Sequence, residues 1–490
     1  MAESATVALP QRNESISSLH RDELGESVRH YADNLHRQLQ VGFQKHGVSS
    51  FGEFREKVAL GTIPLSELTR LSTLATTLEK TTKTGEIPFD ERTFLDSVGK
   101  LVVWWKSPEN EENVMILLNK YYGSDADLLE PIDLSYLQKK IDALPQLPAE
   151  LFVTDKHLSQ RILEKINSTD DAQQMFLDTG LLYSFIFNTA VRKLSEDLQL
   201  QVEQVVDTRN MGNISFLGYE MSRGTILVDY GDIGDYAGAH MRGGELVFYG
   251  SDGSTGFAMT GGKLRGSTAE IRVGEEMSGG TIMLDEVGSN AGRRMKGGEL
   301  HVNKAHNYLG VEMSGGTIRV KEARNEMGKG MTGGDIFCEK AKHQVGSQML
   351  GGTIYVDLAE DQLGCDMAGG KIVAKIVDDM AGHRMKKGDI YIDEARETAG
   401  SAMQGGFLQI KKANRHLGEG MMGGKIVCEE AGEDVGVAMR DGTIEVGTCT
   451  YNVGRDSTGG DIYIKDSYET VADFRGATVY FQGEVVEESW

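Results

Sequence analysis

Cysteine, proline and tryptophan are scarce in this chain, whose 490 residues include 4 Cys, 7 Pro and 3 Trp. The thiols Cys338, Cys365, Cys428 and Cys449 lie singly with no C-x-x-C pair, so iron–sulfur clusters and thiolate zinc sites are not expected. Small buried hydrophobes in a reducing compartment are the expected role. Positive charge is also short. Against 74 Asp and Glu stand 51 Lys and Arg, a net charge of −23 at pH 7, which disfavours nucleic acid as a partner. The longest apolar run, Gly180 to Phe187, is too short to span a bilayer and reads as a core helix. The first residues carry no basic-then-apolar leader, so a cytoplasmic, membrane-free protein is expected. Nucleophile-elbow, Walker A and H-E-x-x-H patterns are missing. No catalytic, cofactor-binding or metal-binding residue can be assigned, and no cofactor is expected.

Glycine and methionine are abundant instead, at 61 and 21 residues, and they are periodic. The run Gly310-Val-Glu-Met313-Ser-Gly-Gly316-Thr-Ile318-Arg-Val320 recurs every 18 residues from Met241 to Met439. Met221 precedes the series by 20 residues, and Ser457 replaces the methionine in the last copy. Each copy has glycine three residues before and three residues after this position, in columns running from Gly218 to Gly454 and from Gly224 to Gly460. A fixed period of this length signals a solenoid. After the second glycine the chain alternates, with Ile318, Ile336, Ile354, Ile372 and Ile390 in one column. A second column holds Val302, Val320, Cys338, Val356 and Ala374. Alternate side chains of a strand face opposite ways, so these two columns point inward and their neighbours face water. Two spans, Gly328-Lys-Gly330-Met-Thr-Gly333 and Gly418-Glu-Gly420-Met-Met-Gly423, match G-x-G-x-x-G. A strand follows each, so they read as corner glycines plus one chance glycine, not as a dinucleotide loop.

Charges bear on how many copies make a turn. The residues Glu286, Lys304, Glu322, Lys340, Glu394, Lys412 and Glu430 share one repeat position, and wherever a charge is present its sign alternates copy by copy. One copy per turn would give a single mixed ladder; two copies would separate the lysines from the glutamates. The second arrangement is the expectation: about seven turns of two 18-residue repeats each. Under it Tyr355, Tyr391, Val427 and Tyr463, 36 residues apart at an outward position, would stack on consecutive turns as an apolar stripe, a candidate partner surface. The histidines are scattered; His306 beside Lys342, and Asn307 beside His343, would form a polar edge ladder.

Upstream of the repeats the apolar spacing is helical. Helices are expected over 19–45, from Pro64 to near Gly85, and over 89–105, 110–122, 133–144, 155–166 and 168–206. Trp104-Trp105 and Tyr121-Tyr122 read as core aromatics. The expected organisation is α+β in two domains. A disordered tail (1–17) leads into an all-α domain (18–209), then a parallel β-helix (210–482) and an acidic tail (483–490). The degenerate rung around Phe474 to Phe481 is a candidate cap for the open sheet end.

The pattern carried by Gly310, Met313, Gly316, Ile318 and Val320, with the leading stretch Asp229 to Val247, resembles the glycine-rich β-helix family. That family includes the C-terminal domain of the glutamate synthase large subunit and the C subunit of formylmethanofuran dehydrogenase. The resemblance covers roughly residues 210–480. It implies a right-handed β-helix with two repeats per turn, and a non-catalytic scaffold that holds the catalytic units of an oxidoreductase, one-carbon or glutamate-synthase-like complex together. It carries over no functional residue, and no amidotransferase cysteine, flavin barrel or cluster cysteines accompany it. Two alternatives stand beside the scaffold: a hydrolase, amidotransferase or formyl-transfer site at the domain junction, and a self-assembling solenoid. Partners are therefore other protein subunits or further copies of this chain.

Overall fold

The computed structural model describes residues 26–84, 89–105, 107, 135–144, 151, 157–168, 179–192, 202–209, 211, 214–468 and 476–486. The chain divides into two compact units, residues 1–211 with 223–229, and residues 212–222 with 230–490. The expected tail 1–17, the helix 110–122 and Tyr121-Tyr122 lie outside the described residues.

In the first unit seven helices are described: α1 (Glu26–Lys45), α2 (Phe51–Ala59), α3 (Leu65–Thr84), α4 (Glu91–Trp105), α5 (Ser135–Asp142), α6 (Leu158–Ser168) and α7 (Thr179–Arg192). Apolar residues at helical spacing, such as Tyr31, Leu35 and Leu39 of α1 with Leu71 and Leu78 of α3, are buried as expected. Helix α2 was not foreseen, yet its start is written in Ser50-Phe-Gly-Glu53. Ser50 Oγ accepts from Glu53 N at 3.3 Å while the Glu53 carboxylate accepts from Ser49 N at 2.7 Å, a near-reciprocal cap. Trp105 is buried and stacks on Tyr136 with ring centroids 5.9 Å apart.

The helical reading of 168–206 needs one correction. Residues Glu203–Asp207 form strand β1, with Gln204 and Val206 turned inward, and β1 pairs with β2 (Thr225–Tyr230). The period around Val202 is two, not three or four, and β-branched residues favour the strand. Polar contacts hold it to α6, which is tied in turn to α7. Ser159 Oγ donates to Gln204 Oε1 at 2.8 Å and lies 2.6 Å from the Tyr183 hydroxyl, and Asp207 N donates to Gln160 Oε1 at 2.7 Å.

The second unit is a parallel β-solenoid, and its register overturns the two-copy turn. Ile354 pairs with Ile336 on one side and Ile372 on the other, so each 18-residue copy is one full rung. The same offset joins Ile318 to Ile336 and Ile390 to Leu408. Glu286, Lys304 and Glu322 are therefore direct neighbours in one mixed ladder. Lys304 Nζ lies 3.6 Å from Glu286, an arrangement that like charges on successive rungs would forbid.

Each rung contains a tight turn between its first glycine and its methionine. Met313 N bonds to Gly310 O at 3.3 Å, with Glu312 in the left-handed region (φ 57°) as the third turn residue. Both glycine columns also have positive φ, as at Gly310 (65°) and Gly316 (86°). The second column has a further reason to be glycine: a Cβ on Gly316 would fall 2.7 Å from Met295 Cε of the previous rung. Methionine thus packs under the next rung's glycine, and the methionine column is wholly buried. The end of the series supports this. Asp461 pairs with Thr478, which puts Ala477 at the glycine position above Ser457. Where the next rung brings a Cβ, the methionine gives way to a small buried serine whose hydroxyl donates to Gly454 O at 2.5 Å. Gly330 and Gly420, read from sequence as chance glycines, occupy the strained third turn position with φ of 63° and 62°. After the last full rung Thr478–Phe481 adds a parallel strand, and Glu484–Val485 folds back antiparallel on it, ending the parallel ladder.

Three stability outcomes follow from this packing. Gly364→Val places a branched side chain at φ 69° with its Cβ 2.5 Å from Ile390 Cδ1. It is expected to cost ~2–4 kcal/mol in a denaturant melt of the full chain. Gly420→Ala has open space around it, and Ala402 and Ala438 already hold this conformation on adjoining rungs, so less than ~1 kcal/mol is expected. Ile354→Ala empties a fully buried site between Ile336 and Ile372 and should cost ~2–5 kcal/mol; an unchanged melt would contradict the packing.

Candidate functional site

The strand after each corner has two outward positions flanking one buried one, as Arg319 and Lys321 flank Val320. Stacked rungs turn these positions into two parallel columns. The first runs Met283, His301, Arg319, Phe337, Tyr355, Val373, Tyr391, Gln409, Val427, Glu445, Tyr463 and Tyr480. Between the columns lies an open groove. One section of about 700 Å³ is lined by Arg265, Met283, Arg319, Phe337 and Tyr355 on one wall and by Asp285, Lys321, Glu339 and Asp357 on the other. A second, about 330 Å³, continues through Tyr391 to Gln409 and Lys411 and shares Tyr355 and Asp357 with the first. A third, about 370 Å³, lies on the same face at Glu445, Tyr463 and Tyr480.

The expected stripe of Tyr355, Tyr391, Val427 and Tyr463 is corrected accordingly. Because one copy makes one rung, these four alternate with Val373, Gln409 and Glu445 and do not stack on one another. The intervening residues belong to the same face, not to a separate one. Tyr355 stacks on Phe337 with centroids 4.9 Å apart, and Tyr463 on Tyr480 at 4.5 Å. Tyr355 is 39 % exposed, while Tyr391, Val427 and Tyr463 are half-buried. Phe337, Val373 and Tyr480 complete the surface; the 18-residue spacing of the same position was the signal for them.

Electrostatics divide the groove. Along the second column Lys375 pairs with Asp357 and Lys411 with Asp393, each at 2.7 Å, and Asn303 donates to Asp285 at 2.8 Å. At the far end Lys425 lies 2.7 Å from Glu445 and, by its hydrogen bond, holds that carboxyl below its usual range. The Arg319 guanidinium sits 4.3 Å from the Phe337 ring centroid, a cation–π contact, and Lys371 stands 4.7 Å over Tyr391.

Chemistry elsewhere is muted. All four thiols are buried and free. Burial pushes Cys338 and Cys428 up to about 12 and Cys449 to about 11, and raises Cys365. Such thiols stay protonated at neutral pH and are poor nucleophiles. Among the described residues no group of three or more His, Cys, Asp or Glu could hold a metal ion, and no helix is long and apolar enough to cross a membrane. His306 does not neighbour Lys342. It bonds the Glu286 carboxylate through Nε2 and faces Arg324 Nη1 at 3.2 Å through Nδ1, while Lys342 pairs with Glu322 at 3.2 Å. Asn307 likewise lies 3.5 Å from Ser289 and His343 is 3.2 Å from Asp361, each one rung away. These are inter-rung ties. The carboxylate of Glu275, buried without a sequence signal, is held by Arg294 at 2.8 Å and Arg293 at 3.4 Å across the next rung.

No protein-family profile, curated protein or solved structure matches the chain.

The thiol assignment has a direct check. Iodoacetamide at pH 8 is expected to label none of the four cysteines in the folded chain and all four in denaturant, as read by intact mass. Rapid labelling of Cys338 before unfolding would contradict it.

Proposed function

We propose that this chain is a non-catalytic scaffold that docks another protein on the grooved strand face of its solenoid. One observation carries the reading. Phe337, Tyr355, Val373 and Tyr391 form a continuous, partly exposed apolar wall on successive rungs of a hydrogen-bonded comb. Aromatic side chains held rigidly lose little entropy on binding and bury large area, which suits protein recognition. Resemblance of the repeat to the glycine-rich β-helix family supports an assembly role, beside the catalytic units of an oxidoreductase, one-carbon or glutamate-synthase-like complex in the cytoplasm. Right-handed winding belongs to the same reading. Growth from the C-terminal edge of the solenoid is disfavoured because Glu484–Val485 folds back on the Thr478–Phe481 strand.

The variant Tyr391→Glu with Val427→Glu tests the docking face. Both residues are half-buried on the outward column, so the melt should change by less than ~1 kcal/mol. Stoichiometric co-purification of a partner from native lysate should be lost. Normal assembly by this variant would overturn the proposal, and turnover by the purified chain alone would favour an enzyme.

A further inference from the structure

We infer that the groove accepts an extended polypeptide segment bearing one acidic side chain, followed at every second position by apolar ones. The inference deepens the docking reading and rests on it. The shape comes first. Sections of about 700 and 330 Å³ join at Tyr355 and Asp357 into one trough from Arg265 to Gln409. With eight rung spacings, the trough is about 38 Å long. It is open along its length, so a small ligand would leave much of its surface in water, whereas an extended chain can fill it. The floor is a closed ladder whose backbone groups are already paired, so recognition falls to side chains and not to strand addition.

Charge then fixes the anchor. Lys375 and Lys411 spend their charge on Asp357 and Asp393 in their own column, but no ion pair joins Arg319 or Lys321 to a carboxylate among the described residues. Both spare cations stand on one rung, exposed at the two lips of the groove. Asp285, Glu339 and Asp357 line the same section, so a second negative charge one or two rungs away would meet carboxylates. One anion fits; a polyanion does not. The protein's net charge of −23 acts weakly at this rung, because charges more than about 8 Å away are largely screened at physiological salt.

Beyond the anchor the wall becomes apolar through Phe337, Tyr355, Val373 and Tyr391, one to four rungs on. An extended peptide advances about 6.6 Å per two residues against about 4.8 Å per rung, so alternate side chains at +2, +4 and +6 reach this wall. The match requires a period-two pattern of acid followed by apolar residues, read in either chain direction.

The test uses the full chain and a fluorescein-labelled peptide reading Asp-Ser-Leu-Ser-Leu-Ser-Leu. Fluorescence anisotropy is expected to show saturable binding in the micromolar range. Binding should be at least about tenfold weaker for the peptide with Asn in place of Asp, and for the variant Arg319→Gln with Lys321→Gln, whose melt should shift little because both side chains are exposed and only the Phe337 ring contact is lost. Equal affinity of the Asp and Asn peptides would overturn the inference, as would tighter binding of a peptide acidic at every second position. No saturation up to about 1 mM, while Tyr391→Glu with Val427→Glu still breaks the native assembly, would overturn this inference and leave the docking reading standing. Loss of neither property would overturn both.

Discussion

The contact between a methionine methyl and the glycine of the next rung is the constraint on which the solenoid depends. Met295 Cε lies where a Cβ on Gly316 would have to go, and the same relation holds for Met313 with Gly334 and Met349 with Gly370. Glycine is required there twice over, by positive φ and by the approach of the side chain beneath it. Methionine suits the other half because its unbranched thioether follows an irregular gap without branching into the corner. Ala477 and Ser457 depart from the pattern together, which ties the two columns to one physical cause.

Stacking identical rungs also disciplines the surface. A residue meets its own equivalent about 4.8 Å away on both sides, so any column of like charges would repel along its whole length. Alternation of sign answers this, and the pairs Asp357–Lys375, Asp393–Lys411 and Asp378–Arg396 are its products. Each exposed pair contributes little by itself, on the order of 0–1 kcal/mol, yet together they hold one register. Where the rule is broken, function becomes thinkable. Arg319 has no acidic neighbour in its column, neither Arg319 nor Lys321 is in an ion pair with a carboxylate among the described residues, and Phe337 and Tyr355 stack face to face.

Much of the candidate face was legible as individual positions. Tyr355, Tyr391, Val427 and Tyr463 could be placed outward from alternation alone, and they are outward. Their neighbours could not be assigned in the same way, because adjacency across rungs depends on the register. The spare charge on Arg319 and Lys321 was likewise invisible, since ion pairing depends on which residues stand one rung away. In the first unit the same limit applied to Glu203 to Asp207. An alternating run of five residues abutting a helical stretch is weak evidence by itself, and the strand is held by Ser159 and Gln160 from far upstream.

The amino-acid sequence by itself determined the solenoid, its 18-residue unit, the inward columns and the need for glycine at two corners of every copy. Those properties are local: they follow from alternation, from φ preferences and from a repeat that any reader of the chain can count. It could not determine whether a turn held one copy or two. Both arrangements place equivalent residues on equivalent residues, and the alternating charges read as one mixed ladder in the first and as two segregated edges in the second. Only backbone pairing distinguishes them, and the bond from Gly346 N to Met327 O at 2.7 Å, like the pairing of Ile354 with Ile336, closes the ring after a single copy. That closure merged two presumed faces into one groove.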